Sequence, residues 1–272
     1  MLPIGLNHMT VPTMPAIAVL DLAERLGCVG VEYRNDLKRQ LFDGADPQSI
    51  KDAAGARGLR ILALAEVKSF NIPSADLADK ALTLIQLAIA CGSEALALIP
   101  HVAAAKVDRG QQRRALLAAL QVLRPMLEDN GLIGLIEPLG FVSSSLRHKS
   151  DAVAVLEDMG APSCFKIVHD TFHHHIAGGG AIYPDFTGLV HISGIAVAGP
   201  GIRQMADEHR VLVGPRDRLR SVDQLRELQQ SGYQGAASIE CFSRETHEDT
   251  DPAAALAGSI EFIASQLTGV PA

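Results

Sequence analysis

The stretch that decides the fold runs from Glu94 to Pro138, EALALIPHVAAAKVDRGQQRRALLAALQVLRPMLEDNGLIGLIEP. It opens on a short apolar run, Glu94 to Pro100, and continues in helical period from Asp108 to Asn130. A helix stop at Gly131 then leads into a second apolar run, Leu132 to Pro138. Strand, helix, strand is the unit, and it repeats in both directions. Toward the N-terminus lie Ile4 to Asn7 with Pro15 to Leu26, Val29 to Arg34 with Asp46 to Gly58, and Leu59 to Val67 with Ser74 to Cys91. Pro15 suits a first helical turn, and Gly27, Gly58 and Gly92 stop the three helices as Gly131 stops the fourth. Toward the C-terminus come Asp151 to Met159, Phe165 to His173, a loop through Gly178-Gly179-Gly180, and Leu189 to Ile195; Ser221 to Gly232, Ala237 to Phe242 and Pro252 to Leu267 complete the series. Eight strand candidates in 272 residues average 34 residues per unit, which is what a (β/α)₈ barrel needs. The expectation is therefore an α/β protein: a single TIM barrel over residues 1–272, with an irregular insertion at about 194–217 between strand seven and its helix. A doubly wound open sheet is the alternative, and no Gly-x-Gly-x-x-Gly turn follows the first strand to favour it.

Composition narrows the function classes. Apolar residues make up 47% and charged residues 20%, so a sizeable core is expected and disorder is excluded. With 24 Lys and Arg against 31 Asp and Glu, the net charge of -7 repels a phosphate backbone, which argues against a nucleic-acid partner. Cys28, Cys91, Cys164 and Cys241 are far apart in sequence and form no Cys-x-x-Cys pair, which fits a reduced, cytoplasmic protein. The start MLPIGLNHMTVP has neither a basic opening nor an unbroken apolar run, and no stretch approaches 18 consecutive apolar residues. Neither secretion nor a membrane span is expected.

Barrel enzymes carry their chemistry at the C-terminal ends of the strands. Four strands here end in metal-ligand types: Glu137 in GLIEP, Asp170 in KIVHDTFH, His191 in LVHIS and Glu240 in ASIECF. If these side chains point into the barrel, strand period 2 makes Leu135, Val168, Leu189 and Ser238 their inward neighbours, all small or apolar. Three carboxylates near one barrel axis repel one another unless protonated or neutralised by a cation. A divalent metal meets that need, and one His nitrogen with three carboxylates suits Mn²⁺, Mg²⁺, Zn²⁺ or Co²⁺ alike. Other strand-end polar residues, Asn7, His8, Glu32, Arg34, Glu66, Lys68 and His101, are candidates to line a substrate pocket. Glu32 and Arg34 share a strand face, where an ion pair between them competes with substrate contact. Gly178-Gly179-Gly180 reads as a plain loop rather than a phosphate cradle.

The run HDTFH (His169 to His173), with IEP before it and VHIS and SIE after it, resembles the xylose isomerase-like barrel superfamily of sugar isomerases and epimerases. The resemblance implies one divalent ion held by Glu137, Asp170, His191 and Glu240. It also implies a ketone substrate whose adjacent C–H is acidified by the ion. Glu137 and Glu240 would then flank the carbon as acid and base through an enediolate. His173 matches the histidine that bonds a substrate oxygen, although with His174 and His175 it also reads as a polar loop. Arg210 matches a cation that orients substrate, with a solvated surface position as its alternative. The stretch DEHRVLVGPRD (Asp207 to Asp217) is most similar to the inosose isomerase branch.

Two rival functions use related parts. Apurinic endonucleases share the barrel, and Asp207-Glu208-His209 has the form of one of their extra metal pairs, yet strand three ends Glu66-Val67-Lys68 without a histidine. Inosose dehydration uses the same quartet and differs in what leaves. A non-catalytic sugar-binding protein has no need of two flanking carboxylates. The expectation is a metal-dependent isomerase or epimerase of a small polyhydroxylated ketone or sugar, with His173, Arg210, His101 and Glu66 as substrate-binding residues and homo-oligomerisation left open.

Overall fold

The computed structural model describes residues 2–102, 108–197 and 201–268. Eight parallel strands close into a barrel in sequence order, with the eighth bonded to the first. They are β1 (Ile4–Asn7), β2 (Gly30–Arg34), β3 (Arg60–Lys68), β4 (Ala95–Ile99), β5 (Ile133–Ile136), β6 (Phe165–Asp170), β7 (Thr187–Ile192) and β8 (Ala237–Ile239). The helices are α1 (Ala16–Arg25), α2 (Pro47–Ala56), α3 (Leu77–Cys91), α4 (Arg109–Glu128), α5 (Lys149–Asp158), α6 (Thr171–Ile176), α7 (Ser221–Gln230), α8 (Arg244–His247) and α9 (Pro252–Thr268). Asp46 and Asp108 cap α2 and α4, each accepting from a backbone N–H of the first turn. Gly92 ends α3 at φ 71°, a conformation that a side chain resists.

Apolar surface is buried in three clusters, one of them formed by Phe172, Ile176, Ile195, Met205 and Leu219. A large cluster fills the space between the strands and the surrounding helices, while Leu62, Leu135, Val168 and Leu189 belong to a separate, smaller cluster. Three of these four stand two residues before Glu137, Asp170 and His191, so strand period 2 turns them inward as a plug beneath those side chains. Gly5 of β1 makes room for the plug, since a Cβ there would lie 2.7 Å from Leu62 Cδ1. Each fully buried leucine contributes about 1.5–3 kcal/mol of hydrophobic stabilisation, which keeps the floor of the site dry and rigid.

The expected segment Phe165 to His173 divides in the structure. β6 stops at Asp170, because the Asp170 side chain accepts from His173 N at 2.8 Å and thereby caps α6. The three-histidine run is thus helical rather than a loop. Between β7 and α7 the chain makes 3-10 turns at Ile202–Gln204 and Asp207–His209 and a bridge from Gly194 to Val211. The expected insertion at 194–217 falls in this segment, and its residues 198–200 lie outside the described residues. Asp217 closes it by accepting from the backbone N–H groups of Ile195, Leu219 and Ser221. Among the described residues, no helix is long and apolar enough to cross a membrane.

Candidate metal centre

Glu137 and Glu240 each stand one residue beyond their strands, yet both remain in the ladder. Glu137 N donates to Leu98 O at 3.2 Å, and Glu240 N donates to Ile192 O at 2.9 Å. That registration turns both carboxylates inward beside Asp170 and His191. One ligand atom from each of the four side chains lies within 4.8 Å of all the others, and all four residues are buried. The Nδ1 of His191 is 3.3 Å from Glu137 Oε1, 3.3 Å from Glu240 Oε2 and 3.9 Å from Asp170 Oδ2.

The chemistry of this donor set calls for a cation. His191 Nε2 is 3.1 Å from Glu32 Oε2, and a carboxylate only accepts, so Nε2 carries a proton. A neutral His191 then aims the Nδ1 lone pair at three more acceptors, which is repulsive unless a positive charge sits among them. Bonds of about 2.0–2.2 Å in a tetrahedral arrangement separate ligand atoms by about 3.3–3.6 Å, and the two 3.3 Å contacts of Nδ1 match that spacing. Without a metal the proton takes its place. Burial opposes charge on His191, but Glu240, Glu32 and Glu137 hold its pKa well above the ordinary value. Burial likewise opposes the Glu240 carboxylate, yet His191, Arg210 and Arg34 hold it well below the usual range.

Two arginines border the cluster. Arg210, with only 1% of its surface exposed, donates from Nη2 to Asp170 Oδ2 at 2.6 Å and to Glu240 Oε2 at 2.9 Å. Its Nε donates to Ser193 Oγ, and its guanidinium lies over the rings of Phe172 and Phe242 at 5.2 and 4.6 Å. The solvated-surface alternative therefore does not describe it. Arg34 Nη1 donates to Glu240 Oε1 at 2.6 Å, while its other nitrogens hold Asp36. The ion pair between Glu32 and Arg34, one of the two alternatives for these residues, does not form. Neighbours on one strand face are parallel, and each reaches across the barrel instead, Glu32 to His191 and Arg34 to Glu240.

The family model for the xylose isomerase-like TIM barrel matches residues 20–266. The chain belongs to this family. A xylose isomerase domain-containing protein from Salmonella typhimurium LT2 is 28% identical, with a TM-score of 0.89 over 98% of this chain and 97% of that one. The IolI protein, solved with a bound zinc atom, is 17% identical with a TM-score of 0.88 over 100% of both chains. D-psicose 3-epimerase from Clostridium cellulolyticum H10, solved with D-tagatose, is 14% identical with a TM-score of 0.77, covering 98% of this chain and 99% of that one. At those last two identities the likeness is one of fold. No match was found among curated proteins.

The remaining candidates of this family member are distributed around the centre. His173 in α6 is buried, edge-on to Phe141 and Phe172 at 5.1 Å each, and its Nδ1 has no hydrogen-bond partner. The loop after β5 reaches it through Gly140, where a Cβ would lie 2.2 Å from His173 O. His101 is half-buried, with Nδ1 3.1 Å from Ser69 Oγ. Glu66 lies 3.8 Å from Arg34 and 3.5 Å from Lys68; burial and then Asp36 push its carboxyl up. His8 turns away to donate to Met14 O. His209 accepts from Ala206 N and Asp207 pairs with Arg210; among the described residues the two join no cluster of three or more metal-ligating side chains.

Sequence reasoning left the roles of Asn7, Glu32 and Arg34 open. Asn7 Nδ2 donates to both Glu32 Oε1 at 3.2 Å and Glu240 Oε1 at 3.3 Å, tying two carboxylates together. The signal was the alternation of Glu32 and Arg34 within an apolar strand, because inward charges of a barrel need partners on other strands.

Proposed function

We propose that the protein is a divalent-metal-dependent isomerase or epimerase acting on a small polyhydroxylated ketone, an inosose or ketose. The observation that carries this reading is His191 Nδ1 facing three buried carboxylates, and Arg34 and Arg210 offset only in part their negative charge together with that of Glu32. Glu137, Asp170, His191 and Glu240 would hold one ion, with Mn²⁺, Mg²⁺, Zn²⁺ and Co²⁺ all compatible with the donors. When bound, the ion supplies Lewis-acid polarisation of a carbonyl, which acidifies the neighbouring C–H.

The protein's own groups would move the proton. Glu137 and Glu240 flank the centre, and their surroundings differ. Glu240 has both oxygens occupied, Oε1 by Arg34 and Asn7, Oε2 by Arg210. Glu137 Oε1 faces His191, and its other oxygen has no protein donor among the described residues, so it is the freer to accept and return a proton. His173, with Nδ1 unpartnered, would bond a substrate oxygen, and Arg210 would fix the carboxylates that receive substrate. His101 and Glu66 would contact the rim of the substrate. Solved structures similar in fold include a D-psicose 3-epimerase and an Escherichia coli 3-keto-D-glucoside 4-epimerase, which supports carbohydrate chemistry. Four buried free cysteines accord with a cytoplasmic setting, and the acidic chain with a small-molecule rather than nucleic-acid partner.

One observation favours a second reading, dehydration: His173 Nδ1 is buried and has no hydrogen-bond partner, and it would serve as the acid for a departing hydroxyl. Incubation with 2-keto-myo-inositol and a panel of ketoses in D₂O separates the two. Isomerisation yields deuterium beside the ketone and a product of unchanged composition apart from the label; a product lighter by one water supports the lyase and overturns the isomerase. Elemental analysis after reloading with Mn²⁺ is expected to give one ion per chain, and His191→Ala or Asp170→Ala to abolish it.

A further inference from the structure

We infer that Glu32 is a positioning residue for the metal, held by Asn7 so that His191 presents Nδ1, and not Nε2, to the quartet. The inference rests on the proposed metal site and adds a residue to its support. Glu32 is 1% exposed, and its two oxygens have one partner each, Asn7 Nδ2 on Oε1 and His191 Nε2 on Oε2. The orientation of Asn7 is itself fixed. Its Oδ1 accepts from Met9 N at 3.0 Å, so the amide nitrogen is the side turned into the barrel.

The chain of donors and acceptors therefore has a single consistent direction. Met9 N–H donates to Asn7, Asn7 donates to Glu32, and Glu32, having only lone pairs, requires a proton on His191 Nε2. With that proton placed, the Nδ1 lone pair of the neutral ring points at Glu137, Glu240 and Asp170. A carboxylate behind a ligating imidazole fixes both the tautomer and the ring plane, and it strengthens the ligand's basicity. Asn7 also donates to Glu240 Oε1, so the same amide that aims Glu32 turns Glu240 Oε2 toward the centre.

Glu32→Gln is the informative substitution because it preserves shape and reverses direction. Asn7 Nδ2 would draw the new carbonyl oxygen to itself and leave the new NH₂ facing His191 Nε2. Nε2 would then have to accept, which places the proton on Nδ1, where the metal should bind.

The test is cobalt binding by the full chain, by competition with a chelator, together with proton NMR of the Co²⁺-loaded protein. Wild type is expected to show one strongly shifted, exchangeable resonance, from the His191 Nε2–H, that disappears in D₂O. Glu32→Gln and Glu32→Ala are each expected to weaken Co²⁺ binding about 10–100-fold, and Glu32→Ala to broaden that resonance by opening the N–H to solvent exchange. Should Glu32→Ala fail to fold by circular dichroism, the isosteric Glu32→Gln decides the question. Affinities within threefold of wild type in the folded variants would overturn the positioning role while leaving the metal site standing. A wild-type protein that takes up no Co²⁺ would overturn both.

Discussion

Replacing Arg210 with methionine removes one buried charge while keeping most of the side-chain bulk. The guanidinium sits 2.6 Å from Asp170 and 2.9 Å from Glu240, whose side chains are only 1% and 2% exposed. Breaking a buried pair by deleting one member costs about 3–5 kcal/mol, because the remaining charge keeps its desolvation penalty without its partner. The stacking over Phe172 and Phe242 adds about 1 kcal/mol, part of which the thioether recovers on the same rings. An unfolding entropy of about 2.1 cal/mol/K per residue amounts to about 0.57 kcal/mol/K for this chain. The Tm of metal-stripped Arg210→Met, followed by circular dichroism at pH 7, should therefore fall by about 5–9 °C. Excess Mn²⁺ should narrow the gap, since the ion supplies positive charge to the same carboxylates. Acidification should narrow it as well. Burial alone would raise the Glu240 pKa, but His191, Arg210 and Arg34 hold it well below the ordinary range. That stabilisation is present above the unfolded carboxylate pKa of about 4.3 and is lost as pH falls through the folded value. A Tm within 2 °C of wild type at pH 7 would refute the reasoning.

Three further outcomes are expected. Glu137→Gln, with metal content measured alongside, should lower kcat by at least ~10²-fold, as loss of a general base does, and near-normal turnover with the ion in place would make Glu137 a ligand alone; Glu240→Gln should lose comparable activity but also release Arg34 and Arg210, so its metal-free Tm should change more. Burial holds the Lys149 amine down to about 7 against Glu227 and Asp170, so the folded chain loses this proton before the unfolded chain does; wild-type stability should rise from pH 7 toward pH 10, by at most about 1.4 kcal/mol per pH unit, and Lys149→Met should flatten that rise in a series of thermal melts. Gly140→Ala should destabilise by about 1–3 kcal/mol and raise KM for the substrate, because the added carbon must displace His173 O; a Tm unchanged within 1 °C would show that the loop after β5 gives way freely.

The strands and helices were legible because a barrel repeats one local unit. Each strand is short and apolar and each major helix ends on a local signal, so periodicity and glycine stops located them without knowledge of distant contacts. Boundaries moved where a side chain took an unforeseen backbone partner. Asp170 is the clear case: one oxygen caps α6, and the strand ends there, three residues before the apolar pattern does.

The site divides along the same line. The residue types that end β5 to β8 are written locally, and strand alternation alone turns Glu137, Asp170, His191 and Glu240 toward a common axis. Which atom of each side chain faces the centre is a property of the closed barrel. Glu32 and Arg34 look like partners in sequence, but barrel closure brings β1 beside β8 and sets Arg34 against Glu240 and Glu32 against His191. Arg210 reads equally well as a surface residue until the segment after β7 folds it inward over Phe172 and Phe242. The sequence by itself determined the barrel and the ligand types, because both follow from local periodicity. Only the tertiary structure decided the charge pairing and the direction of each hydrogen bond, because a buried charge takes whichever partner the closed fold brings within about 3 Å, however distant it is in the chain.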